Sequence, residues 1–168
     1  LIIADGAGIG QYTISYYAND KFSPSQFQHV GLVATHPNDG LKKVTDSASS
    51  GTAMATGQKT YNGAVSVDDN RQPIETIVEI ANKMGMSTGV VATSTVTHAT
   101  PASFVAHIDH RGKEAEIARQ MAKSDADIIF GGGAKFWSDD VLIDLDKNKI
   151  QNSAKEIATR SRGTPRIA

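Results

Sequence analysis

The hydrophobic pattern of the chain alternates between short β-like runs and segments with helical spacing. Four short apolar runs predict strands, at residues 1–4, 29–35, 88–93 and 126–130. Helices are predicted between and after them, at residues 11–18, 47–56, 73–84 and 113–123. Residues 73–84 form the clearest amphipathic segment and end at Gly85, while residues 47–56 contain only small side chains and Met54 before Gly57.

Strands that alternate with helices of this length indicate an α/β fold, with a doubly wound, mostly parallel sheet and helices on both of its faces. In such sheets, ligands bind beyond the carboxyl ends of the strands. Three groups of polar residues are expected at that edge of the sheet: Asp5, residues 45–47 and residues 98–100. Thr100 before Pro101 also has the form of a helix cap, which predicts a helix over residues 101–108.

The ends of the chain do not resemble the ends of a domain. Leu1 already lies inside a predicted strand, and residues 160–165 (RSRGTP) do not close a core. We therefore expect residues 1–168 to form a single partial α/β domain of a longer protein.

Composition excludes several classes of protein. The 17 basic and 18 acidic residues give a formal net charge of −1, which indicates no nucleic-acid or anionic-membrane surface. No apolar run is long enough to cross a bilayer, and no signal peptide is visible. The absence of cysteine excludes disulfides, thiolate metal sites and a cysteine nucleophile.

Asp5 follows a predicted strand and precedes a glycine-rich turn, residues 6–10. A carboxylate at a strand end beside glycines suits a metal ion. Two other interpretations are a turn aspartate that caps the next helix and a dinucleotide-binding loop. The glycine spacing is G-x-G-x-G and not G-x-G-x-x-G, which disfavours the dinucleotide loop.

Ser47 stands where a helix is predicted to begin. The free N–H groups at a helix N-terminus favour an anion, so a serine there could hold a transferring phosphoryl group, although Asp46 or Ser47 could equally be a simple helix cap. The chain contains neither a G-x-S-x-G elbow nor an S-x-x-K motif that would activate the serine. A metal ion remains as the activator.

His98, Thr100 and Arg111 are further candidates. A guanidinium can bind two phosphate oxygens at once, although most arginines are solvated surface residues. A lone histidine is more often structural than a metal ligand.

Three stretches of the chain resemble the motifs of alkaline phosphatases, in the family order. Residues 44–64 (VTDSASSGTAMATGQKTYNGA) closely resemble the nucleophile signature, and residues 3–8 (IADGAG) resemble the first metal-binding strand end. Residues 98–107 (HATPASFVAH), followed by Arg111, resemble the third motif.

The resemblance implies hydrolysis of phosphate monoesters through a covalent phosphoserine at Ser47, with two zinc ions and one magnesium ion as cofactors. Arg111 would bind two phosphate oxygens, and Asp46 would orient Arg111. The residues implied at the metal ions are Asp5, Ser47, His98 and Thr100. Because some members carry aspartate where this chain has His98, the third site's preference for magnesium over zinc is open.

One part of the family pattern is missing from the chain. The D-x-x-x-H pair, the D-H pair and a further histidine that bind zinc lie in the C-terminal half of family members, and no histidine here matches them. The resemblance also implies a periplasmic or extracellular location and a possible homodimer. Two alternatives remain: a related phosphodiesterase or sulfatase, and a non-catalytic fragment that binds phosphate or metal.

Overall fold

The computed structural model describes residues 1–19, 21–138, 140–141 and 150–152. These residues fall into two compact units, one of residues 1–35 and one that begins at residue 36. Each unit is described by itself.

The first unit is organised around helix α1, Ile9–Ala18, which confirms the helix predicted over residues 11–18. The Gln11 side chain accepts a hydrogen bond from the Gly8 N–H at 2.9 Å, which satisfies one of the free donors at the start of the helix. A 3₁₀ helix, Ser23–Gln26, follows. Phe22 contacts Tyr12 and Tyr16 edge to face, with ring centroids 6.1 and 5.7 Å apart.

The strands predicted at residues 1–4 and 29–35 are wrong, because the structure gives neither segment β-pairing among the described residues. Most of their apolar side chains are exposed, with Leu1 at 90% and Leu32 at 103% of full exposure. A strand requires a neighbour for its N–H and C=O groups, which hydrophobic alternation alone does not supply.

Among its described residues, the second unit contains a parallel sheet of three strands in the order β1-β2-β3. They are β1 Gly89–Thr95, β2 Ile128–Gly132 and β3 Ile150–Asn152. Val90 of β1 faces Ile129 of β2 in register, and both side chains are buried. The strands predicted at 88–93 and 126–130 are confirmed within two residues, and the parallel pairing confirms the α/β class; β3 was not predicted.

Helix α2, Ser47–Thr56, has the bounds predicted from the sequence and ends at Gly57, whose φ is 74°. It packs closely on the short helix α4, Ala99–Ala102. A Cβ atom on Gly51 would lie 2.9 Å from the Oγ of Ser103, the C-cap of α4, so a larger residue at position 51 would require Ser103 to shift. The small side chains of α2 therefore bring its first turn close to α4.

The helix predicted over residues 101–108 is wrong: α4 begins at Ala99, with His98 and not Thr100 at its N-cap, and ends at Ala102. Neighbouring segments hydrogen-bond to the backbone beyond α4. The Thr76 hydroxyl donates to the Phe104 carbonyl at 2.8 Å, and Ile108 forms a β-bridge with Val65. These tertiary contacts replace the helical bonds that the local sequence favours.

Helix α3, Ile77–Lys83, is shorter than the predicted residues 73–84. It begins with a capping box in which the Glu79 carboxylate accepts from the Thr76 N–H at 2.8 Å and Thr76 Oγ1 accepts from the Glu79 N–H at 3.2 Å. Pro73 is extended and forms a bridge with Val67. The proline therefore precedes the helix and does not begin it.

Helix α5, Glu114–Lys123, confirms the prediction over residues 113–123. Its buried face consists of Ile117, Ala118, Met121 and Ala122. Phe136 and Trp137 pack against the cluster that Ala118, Ala122 and Val141 form. In the described part of the chain, no helix combines the length and the apolar content that crossing a membrane requires.

His107 connects three segments of the second unit. Its Nδ1 lies 2.8 Å from the Ser66 carbonyl oxygen, and its Nε2 lies 2.9 Å from Glu79 Oε1. Its backbone exchanges two hydrogen bonds with the Gln120 amide of α5. Burial opposes ionisation of Glu79, but hydrogen bonds from Thr76 and His107 outweigh it and lower the pKa of this carboxyl below its ordinary 4.5.

A carboxyl whose pKa is lowered by folding stabilises the fold above its unfolded pKa, and that contribution is lost as the pH falls through the folded value. We therefore expect Glu79→Gln to lower the free energy of unfolding at pH 7 by about 1 kcal/mol. The difference from the wild type should shrink below pH ~4.5 in urea unfolding measured from pH 7 to pH 3. Glu116→Gln, at an exposed position of α5, is the control. A difference that is constant over this range would contradict the assignment.

Candidate active site

The candidate site is built on the first turn of α2. Asp46 is the N-cap, and its Oδ1 accepts from the Ser49 N–H at 2.9 Å. Ser47 is consequently the first helical residue, and it is half-buried. The structure shows Asp46 as the cap of the helix and Ser47 at the helix N-terminus, where N–H groups favour an anion, while the role of Ser47 as a nucleophile stays a prediction.

Arg111 lies beside this turn and contacts two other candidate residues. Its Nη1 donates to Asp46 Oδ2 at 3.2 Å, and its Nη2 donates to His98 Nε2 at 2.9 Å. Because a guanidinium carries only donors, the His98 nitrogen is the acceptor. The structure therefore brings Asp46, Arg111 and His98 together, although they lie far apart in the sequence.

Burial is the largest influence on the Asp46 carboxyl and opposes its ionisation. Hydrogen bonds from the Ser49 N–H, the Arg111 guanidinium and the Gly63 N–H outweigh it and lower the pKa of Asp46 below its ordinary value. Asp46 is therefore a carboxylate at neutral pH, which keeps its ion pair with Arg111 intact.

His98 and Thr100 reach the site through α4. His98 is the N-cap of this helix, and Thr100 lies in its only turn. α4 packs closely on α2, where Gly51 lies against Ser103 and Thr100. The side chains of His98 and Thr100 are half-buried.

Asp5 belongs to the first unit, where it is exposed and followed by Gly6 with a φ of 75°. Its participation in the site with Ser47 stays a prediction.

Sequence reasoning did not single out Asn62 and Gly63, which contact both sides of the site. The Asn62 Oδ1 accepts from the Asp46 N–H at 3.0 Å, and the Gly63 carbonyl accepts from the Arg111 N–H at 2.8 Å. Gly63 has a φ of 93° and packs on the ring of His110. An Asn-Gly pair is a turn signal in any sequence, but its partners depend on the fold.

Within the described ranges, no three histidine, cysteine or acidic side chains lie close enough together to hold a metal ion. Thr100 could supply a hydroxyl oxygen to a metal, and His98 could supply its Nε2 in exchange for the hydrogen bond from Arg111. Such a pair is a part of a ligand set and does not make a closed site.

The sequence matches the family model described as alkaline phosphatase over residues 5–155. The chain belongs to the alkaline phosphatase family. This match includes every candidate residue of the site, from Asp5 to Arg111.

Individual relatives agree with the family match. Alkaline phosphatase 4 of Bacillus subtilis (strain 168) is 36% identical over 154 residues, which cover 82% of this chain and 33% of the relative. The alkaline phosphatase of Escherichia coli (strain K12) is 39% identical over 167 residues, which cover 83% of this chain and 36% of the relative. The chain thus spans about a third of the length of these curated relatives.

The fold is also similar to solved alkaline phosphatases. The enzyme from the Antarctic bacterium TAB5 superposes with a TM-score of 0.78 at 44% identity, over 84% of this chain and 42% of that one. A variant of the TAB5 enzyme with one histidine replaced by aspartate was solved with magnesium in a site called M3, and it superposes with a TM-score of 0.79.

The turn at Gly63 offers a test of how tightly the site is packed. A Cβ at position 63 would lie 3.0 Å from the His110 ring and would also require a left-handed backbone, whereas a Cβ on Gly57, with a φ of 74°, meets nothing within 4 Å. We expect Gly63→Ala to cost about 1–3 kcal/mol more in urea unfolding than Gly57→Ala, which carries the backbone strain alone. Equal losses in the two variants would show that the His110 contact does not constrain the turn.

Proposed function

We propose that the protein containing this chain hydrolyses phosphate monoesters through a covalent phosphoserine at Ser47. The observation that carries the proposal is the double role of Asp46. This residue caps the helix that begins at Ser47, and it also forms the ion pair with Arg111. The Asp46 side chain thereby positions both the helix N-terminus at Ser47 and the Arg111 guanidinium. Both groups suit a phosphate dianion.

In the first step, Arg111 binds two oxygens of the phosphate group, and the Ser47 Oγ attacks phosphorus. The new Oγ–P bond forms as the bond from phosphorus to the ester oxygen breaks, and the proton that Ser47 Oγ loses passes through solvent to the departing alkoxide, which leaves as the alcohol. Arg111 offsets the negative charge on the phosphoryl oxygens throughout the transfer.

In the second step, water attacks the phosphoserine. The bond from water oxygen to phosphorus forms, the Oγ–P bond breaks, and Ser47 regains its proton while inorganic phosphate leaves. Asp46 takes no part in either bond change. It keeps the guanidinium oriented through both steps, because its lowered pKa maintains the ion pair.

We propose two zinc ions and one magnesium ion as cofactors, with Asp5, Ser47, His98 and Thr100 as the ligands that this chain supplies. When bound, the metal ions would lower the pKa of the serine hydroxyl and stabilise the leaving oxygen. Magnesium in the M3 site of a TAB5 enzyme variant supports the use of metal in the family. The histidine at position 98 leaves zinc as a competing metal for the third site.

The remaining zinc ligands would come from a C-terminal half that completes the single partial domain of residues 1–168. Two features of the whole protein follow the family resemblance: a periplasmic or extracellular location, and assembly as a homodimer. A related phosphodiesterase or sulfatase is the alternative on the same scaffold, and the serine at position 47 disfavours it.

The function is tested in the full-length protein, loaded with zinc and magnesium. Ser47→Ala is expected to reduce the turnover of p-nitrophenyl phosphate at alkaline pH by at least about 10³-fold, because the nucleophile is lost. The wild type should also yield an acid-stable phosphoserine from labelled phosphate, and the variant should not. Ser124→Ala, at the end of α5, is the matched control and should retain activity. Turnover retained in Ser47→Ala, or faster cleavage of a diester than of a monoester, would contradict the proposal.

The isolated 168-residue chain tests the division of metal ligands. We expect isothermal titration with zinc to detect fewer than two tight sites in this chain, since its described residues hold no three-ligand cluster. The full-length protein should bind the full complement. Tight binding of two or more ions by the chain alone would contradict the proposed division.

A further inference from the structure

Asn62 contacts the nucleophile turn, residues 44–49 around Ser47, at three points. Its Oδ1 accepts from the Asp46 N–H at 3.0 Å and from the Ser49 hydroxyl at 2.8 Å. Its Nδ2 donates to the Val44 carbonyl at 2.9 Å. These partners lie on both sides of the helix N-cap, so one half-buried amide defines the path of the chain into α2.

The segment that carries Asn62 is also bound to the Arg111 segment. The Gly63 carbonyl accepts from the Arg111 N–H at 2.8 Å, and the Tyr61 hydroxyl donates to the Asp109 carbonyl at 2.9 Å. Two residues after Gly63, Val65 forms an antiparallel bridge with Ile108. Residues 61–65 therefore connect the nucleophile turn with the backbone that positions the guanidinium.

The Asp46–Arg111 ion pair depends on the orientation of the Asp46 peptide. Asp46 has an extended backbone with a φ of −97°, and its N–H points to the Asn62 amide. Rotation of this peptide would move Oδ2 away from the 3.2 Å contact with Arg111 Nη1. The Gly63 N–H, adjacent in sequence, also donates to the Asp46 carboxylate.

We propose that Asn62 is a positioning residue for phosphate binding, acting through Asp46 on Arg111. The proposal rests on the proposed function, since it assigns Arg111 to the phosphate. Asparagine suits the position because its amide is at once an acceptor for Asp46 and Ser49 and a donor to Val44. Aspartate lacks the donor, and alanine lacks both groups.

A double-mutant cycle in the full-length, metal-loaded protein tests this inference. The dissociation constant of inorganic phosphate, measured by isothermal titration, and the KM for p-nitrophenyl phosphate are compared in the wild type, Asn62→Ala, Arg111→Ala and the double variant. We expect Asn62→Ala to raise both constants about tenfold, with a smaller change in kcat. In the Arg111→Ala background the same substitution should change them by less than about twofold, because the residue through which it acts is gone.

Asn82→Ala is the matched control. Asn82 is also half-buried in the same unit, and its Oδ1 accepts from the Thr88 hydroxyl at 2.7 Å, away from Arg111. This variant should lower the melting temperature without changing phosphate affinity. If Asn82→Ala weakens phosphate binding as much as Asn62→Ala does, the effect is one of general stability and the inference is overturned.

Two further results would overturn the inference: unchanged phosphate affinity in Asn62→Ala, or an equal effect of that substitution with and without Arg111. If Asn62→Ala does not fold, Asn62→Ser goes through the same cycle, since its hydroxyl is too short to make the three contacts. Failure of the proposed function can be distinguished from failure of this inference. A wild type that binds phosphate but hydrolyses no monoester would refute the function, while the phosphate-binding cycle would still decide the role of Asn62.

Discussion

The carboxylate of Asp46 is the group on which the candidate site depends. One oxygen caps α2 through the Ser49 N–H, and the other forms the ion pair with Arg111. Burial works against this charge, and the hydrogen bonds around it outweigh the cost. Because one side chain serves both purposes, the start of α2 and the guanidinium of Arg111 cannot move independently. A separate cap and a separate ion pair would leave their relative position to the packing of the surrounding loops.

The packing of α2 on α4 makes this arrangement possible. Gly51 and Ser103 allow an approach that even one added methyl group would obstruct. His98, at the N-cap of α4, accepts from Arg111 Nη2. The residue types of α2 are therefore explained by geometry and not by helix propensity, since glycine in the middle of a helix is unfavourable by about 1 kcal/mol relative to alanine. The unfavourable glycine at position 51 stands where α2 is in close contact with Thr100 and Ser103.

The sequence predicted the parts of the fold that local interactions decide. The bounds of α2 follow from Asp46 at one end and Gly57 at the other, and both signals lie within the helix's own neighbourhood. Sequence-based prediction failed where residues from distant segments hydrogen-bond to the backbone groups of a predicted helix. Val65 bonds to Ile108 in this way, and Thr76 bonds to Phe104. The candidate residues Asp46, Ser47, His98, Thr100 and Arg111 all lie within the range of the family match, and their roles stay predictions.

The contacts of Asn62 could not be predicted from the sequence for the same physical reason. Its turn signal is local, but its partners at Val44 and Asp46 are 18 and 16 residues away, and only the folded loop brings them together. Segments 1–4 and 29–35 show the opposite case, in which a local β pattern is present but no described residue pairs with it. A local pattern thus determines structure only when its long-range partners are available. In this chain that condition is met around Asp46, where the cap, the ion pair and the Asn62 amide are all contributed by residues 44–111.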